Sequence, residues 1–342
     1  MKNSITEREQ YYGDYLGLDK ILNAQFPESD ARGVDAHDEL LFIVIHQAYE
    51  LWFKQMMHEL NSIMAIFERP AVDDNAPSMQ TATHRLNRMV EIWKLLVEQV
   101  NILDTMTPMD FLDFRDLLTP ASGFQSYQFR CFEAKLGLRM QDRFAKEYYQ
   151  KQLRDEHLEQ INDVEQSRSL FEVVENWLAR MPFWAENFWE GTDFWAGYRE
   201  IYAAGLSQRE TIEISMAEFD GLFFGKGEGR DMRLSPDATR AALFITLYRE
   251  YPLLQLPFQF LSKLLEMDEL MSTWRYKHLI MVRRMIGMRA GTGGSSGAGY
   301  LKGALESHNI FKDFARLATY LVPRQKLPKL PTTLVQHLSF NQ

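Results

Sequence analysis

The chain has 342 residues, 46% apolar and 25% charged, enough to bury a sizeable core with an ordinary globular composition. Its net charge of −9 and the lack of any long basic run exclude a nucleic-acid groove and a polybasic membrane patch. The opening MKNSITEREQYYGD has no apolar stretch of the kind a secretory signal needs. The longest apolar run, Leu40 to Ile45, is far too short to cross a bilayer. A single cysteine, Cys131, allows no internal disulfide. A cytoplasmic protein with neither membrane nor nucleic-acid partners is expected.

Residues 1–36 are polar and weakly patterned and are expected to form an amino-terminal arm, ahead of a main domain over 37–342. Residues 39–66 read as a long helix, apolar nearly all round at Leu40–Ile45, which implies burial on several sides. The Pro/Asp-rich stretch 69–79 marks a loop. Beyond it Leu86, Met89, Val90, Trp93, Leu96, Val97, Val100 and Leu103 recur at helical spacing. Thr107-Pro108 supplies the N-cap and first position of a short helix that ends before Pro120 and Gly123. Further helices are expected at 132–153, 168–180, from Ser235-Pro236 towards Pro252, and at 257–267, 268–288 and 308–321. Trp184, Trp189 and Trp195, within 181–198, suggest a packed aromatic lid or seam, and Gly221–Arg233 a weak boundary. The stretch 132–265 is expected to include a helical, insertion-like region, and the tail after Pro323 is expected to end the fold. Nothing alternates with period two, so the fold class is all-α, a bundle-like single large domain.

Eight histidines are present, yet no Glu-x-x-His pair or HExxH motif. His46 and His58 lie twelve positions apart, about 120° around a helix, so they face different ways. That disfavours a multi-histidine metal site and leaves open a cofactor with one protein ligand, such as haem. His278 sits on an apolar stripe with Met271, Trp274, Met281, Val282 and Met285. It is either a satisfied core residue or such a ligand. Gly291–Gly297 follows it as a Gly/Thr/Ser loop without the lysine of a P-loop, either a flexible linker or a close approach to a ligand. His46, with Glu50 one turn on, is either half of a pair on a half-buried face or a group facing bound O₂ or substrate. Arg115 shares a face with Phe111 and Leu118 and has no acid at i±3 or i±4, while Asp113 and Asp116 are expected to project elsewhere. Its guanidinium either snorkels, pairs with a distant acid, or awaits an anionic ligand.

At these residues the sequence resembles the tryptophan 2,3-dioxygenases. The resemblance is carried by His37-Asp38-Glu39-Leu40-Leu41-Phe42-Ile43 with His46-Gln47-Ala48-Tyr49-Glu50-Leu51-Trp52-Phe53-Lys54, and by Asp110-Phe111 with Phe114-Arg115. Pro120-Ala121-Ser122-Gly123-Phe124-Gln125-Ser126, Trp274-Arg275-Tyr276, His278, Gly291–Gly297 and Tyr300-Leu301 complete it, in family order from about Tyr12 to Pro328. The resemblance implies one haem b per subunit, bound between helices. His278 would be its axial iron ligand, with Trp274 packed beside it. His46 would be the catalytic histidine on the distal side, hydrogen-bonding the indole N–H. Phe42, Phe111 and Leu118 would wall the indole pocket, with Ser122 near the haem. Arg115 would clamp the substrate carboxylate, and Thr292 would help hold its ammonium group. Tyr12 and Tyr15 would reach a neighbouring subunit's site in a homotetramer with shared active sites. The implied reaction joins O₂ to L-tryptophan and gives N-formyl-L-kynurenine, the first step of the kynurenine pathway. A related haem oxygenase for another aromatic amino acid, and a haem sensor, are the alternatives. Ala298-Gly299 is smaller than the family pattern, and 199–234 aligns loosely.

Overall fold

The structure is a computed structural model that describes residues 10–69, 77–144, 151–184, 186–189, 191, 193–206, 212–226, 232–287, 289, 291 and 298–339. Among them every regular element is helical, as the patterning predicts. Three short helices, α1 (Tyr12–Leu16), α2 (Leu18–Ile21) and α3 (Glu28–Arg32), lead into the frame. The frame is α4 (Glu39–Phe67), α5 (Pro77–Leu103) and α14 (Pro252–Ile286), with α5 packed most extensively against α14 and then α4. Between them the chain runs through α6 (Pro108–Arg115), α7 (Tyr127–Leu136), α8 (Asp155–Gln166), α9 (Leu170–Ala179), α10 (Glu186–Trp189), α11 (Phe194–Gly205), α12 (Ile212–Phe224) and α13 (Pro236–Leu247). It ends with α15 (Ala298–Ser307), α16 (Lys312–Arg316) and α17 (Thr332–Leu338).

The frame helices form because their apolar side chains recur every third or fourth residue. On α5, Leu86, Met89, Val90, Trp93, Leu96 and Val100 are all buried, which satisfies the predicted stripe. On α4, Phe53, Met56, Leu60, Ile63 and Phe67 face the same core. That core is continuous from α4 to α17 and includes residues of α7 and α9–α13, so the insertion-like segment 132–265 shares it. A smaller apolar cluster joins Ile45, Val100, Leu103, Met106, Phe114, Met281 and Met285 near the ends of the frame helices. The arm is tied to its own chain only in part. The buried Glu39 carboxylate accepts the backbone N–H groups of Glu28 and Ser29, and Gln47 donates to the Ala24 carbonyl. Tyr11, Tyr12 and Tyr15 stay exposed.

Four expectations need correction. The helix expected over 132–153 stops at Leu136, because Gly137 adopts φ 124° and a Cβ there would lie 2.8 Å from Phe171. The helices expected at 257–267 and 268–288 are one helix. Pro257 sits inside it, and the buried face of Leu254, Phe260, Leu261 and Leu264 outweighs the hydrogen bond that proline forfeits. The helix expected over 308–321 is α16 followed by a 3₁₀ turn, Leu317–Tyr320. The tail ends the fold in α17, which buries Leu334 and Leu338 completely. The tryptophan-rich segment joins the main core through Phe183, Trp189, Phe194 and Trp195 rather than forming a lid.

Candidate active site

A cavity of about 240 Å³ opens between α4, the end of α5, α6, α7, α14 and α15. Phe42 and His46 of α4, Phe111 and Arg115 of α6, and Trp274 and His278 of α14 all line it. The short helix α6 is placed by its start: Thr107 accepts from Asp110 N while the Asp110 carboxylate accepts from Thr107 N. Pro108 follows at the first helical position, as predicted. The Phe42 ring lies 4.1 Å from His46 and 6.0 Å from Phe111, tilted to both, and these rings with Met281 and Met285 make one apolar end.

The two histidines differ in what holds them. His46 presents its accessible surface to the cavity, yet packing desolvates the ring and lowers its pKa, against the Phe42 hydrogen bond and the Glu50 charge. Its Nδ1 lies 2.6 Å from the Phe42 carbonyl, which can only accept, so the proton belongs on Nδ1. Nε2 is therefore a free acceptor. Glu50 does not bind it, because that carboxylate takes Gln128 Nε2 at 2.8 Å. His278 is pushed down to about 4 by burial and then by the proximity of His46, so at neutral pH it is an uncharged imidazole. Its Nδ1 is enclosed and has no hydrogen-bond partner, which leaves Nε2 as the nitrogen a ligand can approach. Trp274 packs 5.3 Å from it on the preceding turn.

Arg115 lies at the cavity with its side chain 15% exposed, and here the expectation needs amendment: Asp116 comes within 3.9 Å of it. Asp116 is 94% exposed, so this contact is solvated and weak. Ser122 lines the cavity and caps a 3₁₀ turn by accepting from Phe124 N. Leu118 packs into the small apolar cluster with Phe42 and Phe111 but is not on the cavity wall. Tyr12 and Tyr15 do not line this chain's cavity, and Thr292 lies outside the described residues. Among the described residues no three His, Cys, Asp or Glu side chains form a metal cluster.

The cavity also has a polar wall with almost no local signature in the sequence. Glu133, fully enclosed on α7, binds Arg143 at 2.9 Å, Arg275 at 2.8 Å and Arg130 at 3.3 Å. Burial would raise its carboxyl, but His308, Arg143 and Arg130 outweigh that and hold it well below the usual range. His308 accepts the Phe144 N–H at Nε2, which puts its own proton on Nδ1, 3.5 Å from Glu133. Arg275 also donates to the His308 carbonyl. The cluster bolts α7, α14 and the end of α15 together, and Arg130, Glu133, Arg275 and His308 all face the cavity. The one sequence signal was Arg275, a charge in the turn before His278.

The family profile described as Tryptophan 2,3-dioxygenase matches residues 2–220 and 208–321. The tryptophan 2,3-dioxygenase of Bdellovibrio bacteriovorus is 45% identical, over 97% of this chain and 98% of its own. That of Alteromonas mediterranea is 44% identical, over 96% and 97%. A vertebrate relative of the same name, from Xenopus tropicalis, is 43% identical over 98% of this chain and 88% of its own.

Proposed function

The chain belongs to the tryptophan 2,3-dioxygenase family, and we infer that it inserts both atoms of O₂ across the indole C2–C3 bond of L-tryptophan to give N-formyl-L-kynurenine. The observation that carries this reading is the placing of two uncharged imidazoles, His46 and His278, on one aromatic-walled cavity beside Arg115. The donor set fits one haem b per subunit: His278 is desolvated and neutral, and only its Nε2 is open to the cavity. Bound there, haem b would supply the iron that binds and activates O₂.

The chain's own residues orient the substrate. His46 Nε2 accepts the indole N–H, a hydrogen bond that positions the ring. Phe42 and Phe111 form an apolar slot that excludes water around C2 and C3. Arg115 takes the substrate carboxylate in two parallel hydrogen bonds, exchanging its weak contact with Asp116 for a charge-assisted pair. Ser122 adds a hydroxyl near the haem edge, Trp274 packs beside the iron ligand, and Thr292 holds the ammonium group. Leu118 acts from behind Phe111.

In a homotetramer Tyr12 and Tyr15 close a neighbour's pocket. In support, the internal ties of the arm begin only near Ala24, and the tyrosines ahead of them are exposed. Leu40, Val44 and Leu51 on α4, Leu95 and Ile102 on α5, and Tyr276 and Ile280 on α14 give each frame helix an exposed apolar stripe for subunits to cover. Among the described residues no helix is long and apolar enough to cross a membrane. Cys131 is buried with its thiol pushed up by desolvation, which suits a cytoplasmic location.

Reduced, haem-loaded protein mixed with L-tryptophan in air should form N-formyl-L-kynurenine. A hydroxylated amino acid, or no product, would overturn the reading. For the arm, subunits lacking residues 1–18 are co-assembled with Arg115→Leu subunits. Activity should reappear in the mixed oligomer, and parental activity in a mass-verified mixture would refute arm exchange.

A further inference from the structure

Trp274 is boxed by aromatic rings on several sides. Tyr49 and Trp93 meet it edge-on at 6.0 Å, Phe129 lies at 5.3 Å, and the His278 ring at 5.3 Å. Such a box fixes where the indole sits but leaves its rotation within the box to its single polar atom. That atom, Nε1, donates to the Tyr49 hydroxyl at 3.3 Å. Tyr49 in turn donates to the Leu96 carbonyl at 2.8 Å. One phenol thus joins three helices: α4 carries it, α5 accepts its proton, and α14 hands it the Trp274 N–H. Tyr49 stands three residues after His46, and Trp274 four before His278, so the same tie spans the two helices that bring the histidines to the cavity. Gln99, one turn beyond Leu96, donates to the Ile45 carbonyl at 3.1 Å and fixes the register of α4 on α5 beside it. Burial pushes the Tyr49 phenol up to about 12, so it stays protonated and can both donate and accept.

We propose that Tyr49 is a positioning residue for His278, acting through Trp274. It rests on the reading of His278 as iron ligand. The His278 ring has no hydrogen bond of its own at Nδ1, so packing by Trp274 is what sets its orientation. Without the Tyr49 hydroxyl the indole can turn within its box, and the imidazole it supports turns with it.

The test compares haem-loaded wild type with Tyr49→Phe, Trp274→Phe and the double variant. Tyr248→Phe is the control, since Tyr248 also spends its hydroxyl on a backbone carbonyl, that of Pro328, and does not line the cavity. The readouts are the iron–histidine stretching frequency of the reduced protein and the rate of haem transfer to excess apomyoglobin. Tyr49→Phe and Trp274→Phe should shift the frequency in the same direction and raise haem loss about three- to tenfold, the scale of one buried hydrogen bond. The double variant should shift it no further than the larger single change, because both act on one contact. Tyr248→Phe should leave both readouts at wild type. A wild-type frequency and haem-loss rate in Tyr49→Phe would overturn the proposal, as would additive shifts in the double variant. If Tyr49→Phe does not fold, Trp274→Phe decides, and an unmoved frequency there overturns the proposal equally. His278→Ala separates the two levels. If it keeps the iron–histidine band, the ligand assignment fails and the proposal with it. If it loses the band while Tyr49→Phe leaves it unmoved, only the proposal fails.

Discussion

Two parts of this molecule are rich in aromatic rings and do opposite things with them. Around α11–α13 the rings fill space: Phe183 lies 4.8 Å from Phe244, Phe219 lies 4.5 Å from Phe223, and all four are buried. The hydroxyls of Tyr198 and Tyr248 end on the carbonyls of Tyr320 and Pro328. Around α4, α6 and α14 the rings stand as close to one another, Phe42 to His46 at 4.1 Å and Phe124 to Tyr300 at 4.6 Å, yet they surround a hollow. What separates the two is a cluster of enclosed charge. The hollow has the Glu133 cluster in its wall, and charged groups bound to one another cannot fold inward to fill it. Aromatic density marks a core in both places, and imidazoles and ion clusters beside it mark the site.

The largest expected effect comes from removing the bolt. Glu133→Leu removes the carboxylate that three enclosed guanidinium groups share, and urea unfolding should show a loss of about 3–5 kcal/mol. A loss under ~1 kcal/mol would mean the cluster does not hold the frame. Phe244→Ala and Phe42→Ala then compare the two regions directly. The first empties a filled position and should cost about 3–5 kcal/mol of stability. The second widens a hollow that already exists, so it should cost far less stability and instead weaken L-tryptophan binding. Equal stability losses would erase the distinction drawn above. Arg115→Leu should leave the fold intact and cost about 2–5 kcal/mol in kcat/KM. The preference for L-tryptophan over tryptamine should shrink with it, and an unchanged preference would remove Arg115 from the carboxylate. His46→Ala should keep haem and part of the turnover with weaker substrate affinity. A folded, haem-replete variant with no turnover would make His46 an obligatory base.

The gentlest probe is acid. His46, His278 and His308 are all held below the usual 6.5 by burial, so the folded apoprotein refuses protons that the unfolded chain accepts. Their contribution to stability is complete above about 6.5 and declines as pH falls below it. Glu133, depressed by its cations, adds a further loss at still lower pH, where the unfolded chain's carboxyl takes up a proton and the folded one does not. The urea midpoint should therefore fall from neutral to mildly acid solution, and a flat profile would contradict the burial of these rings.

Sequence legibility followed the range of the interaction. The Thr107-Pro108 and Ser235-Pro236 starts were plain because a cap and its helix are neighbours in the chain. The histidine stripe on α14 and the arginine on α6 were plain for the same reason. Gly137 was not, because the need for glycine comes from Phe171, a residue on another helix. Pro257 misled because a proline costs a helix locally, while the repayment comes from packing by distant residues. The Glu133 cluster was hidden entirely: Arg275 is 142 positions from the carboxylate it binds, and no spacing rule spans that distance.

The exposed stripes on α4, α5 and α14 lie on the very helices whose other faces build the cavity. If subunits cover them, association and the shape of the site draw on the same three helices. Mass action then enters the chemistry. Dilution should lower the thermal midpoint and loosen substrate binding in parallel, at concentrations set by the strength of assembly, so the amount of enzyme present would itself tune how well each copy works.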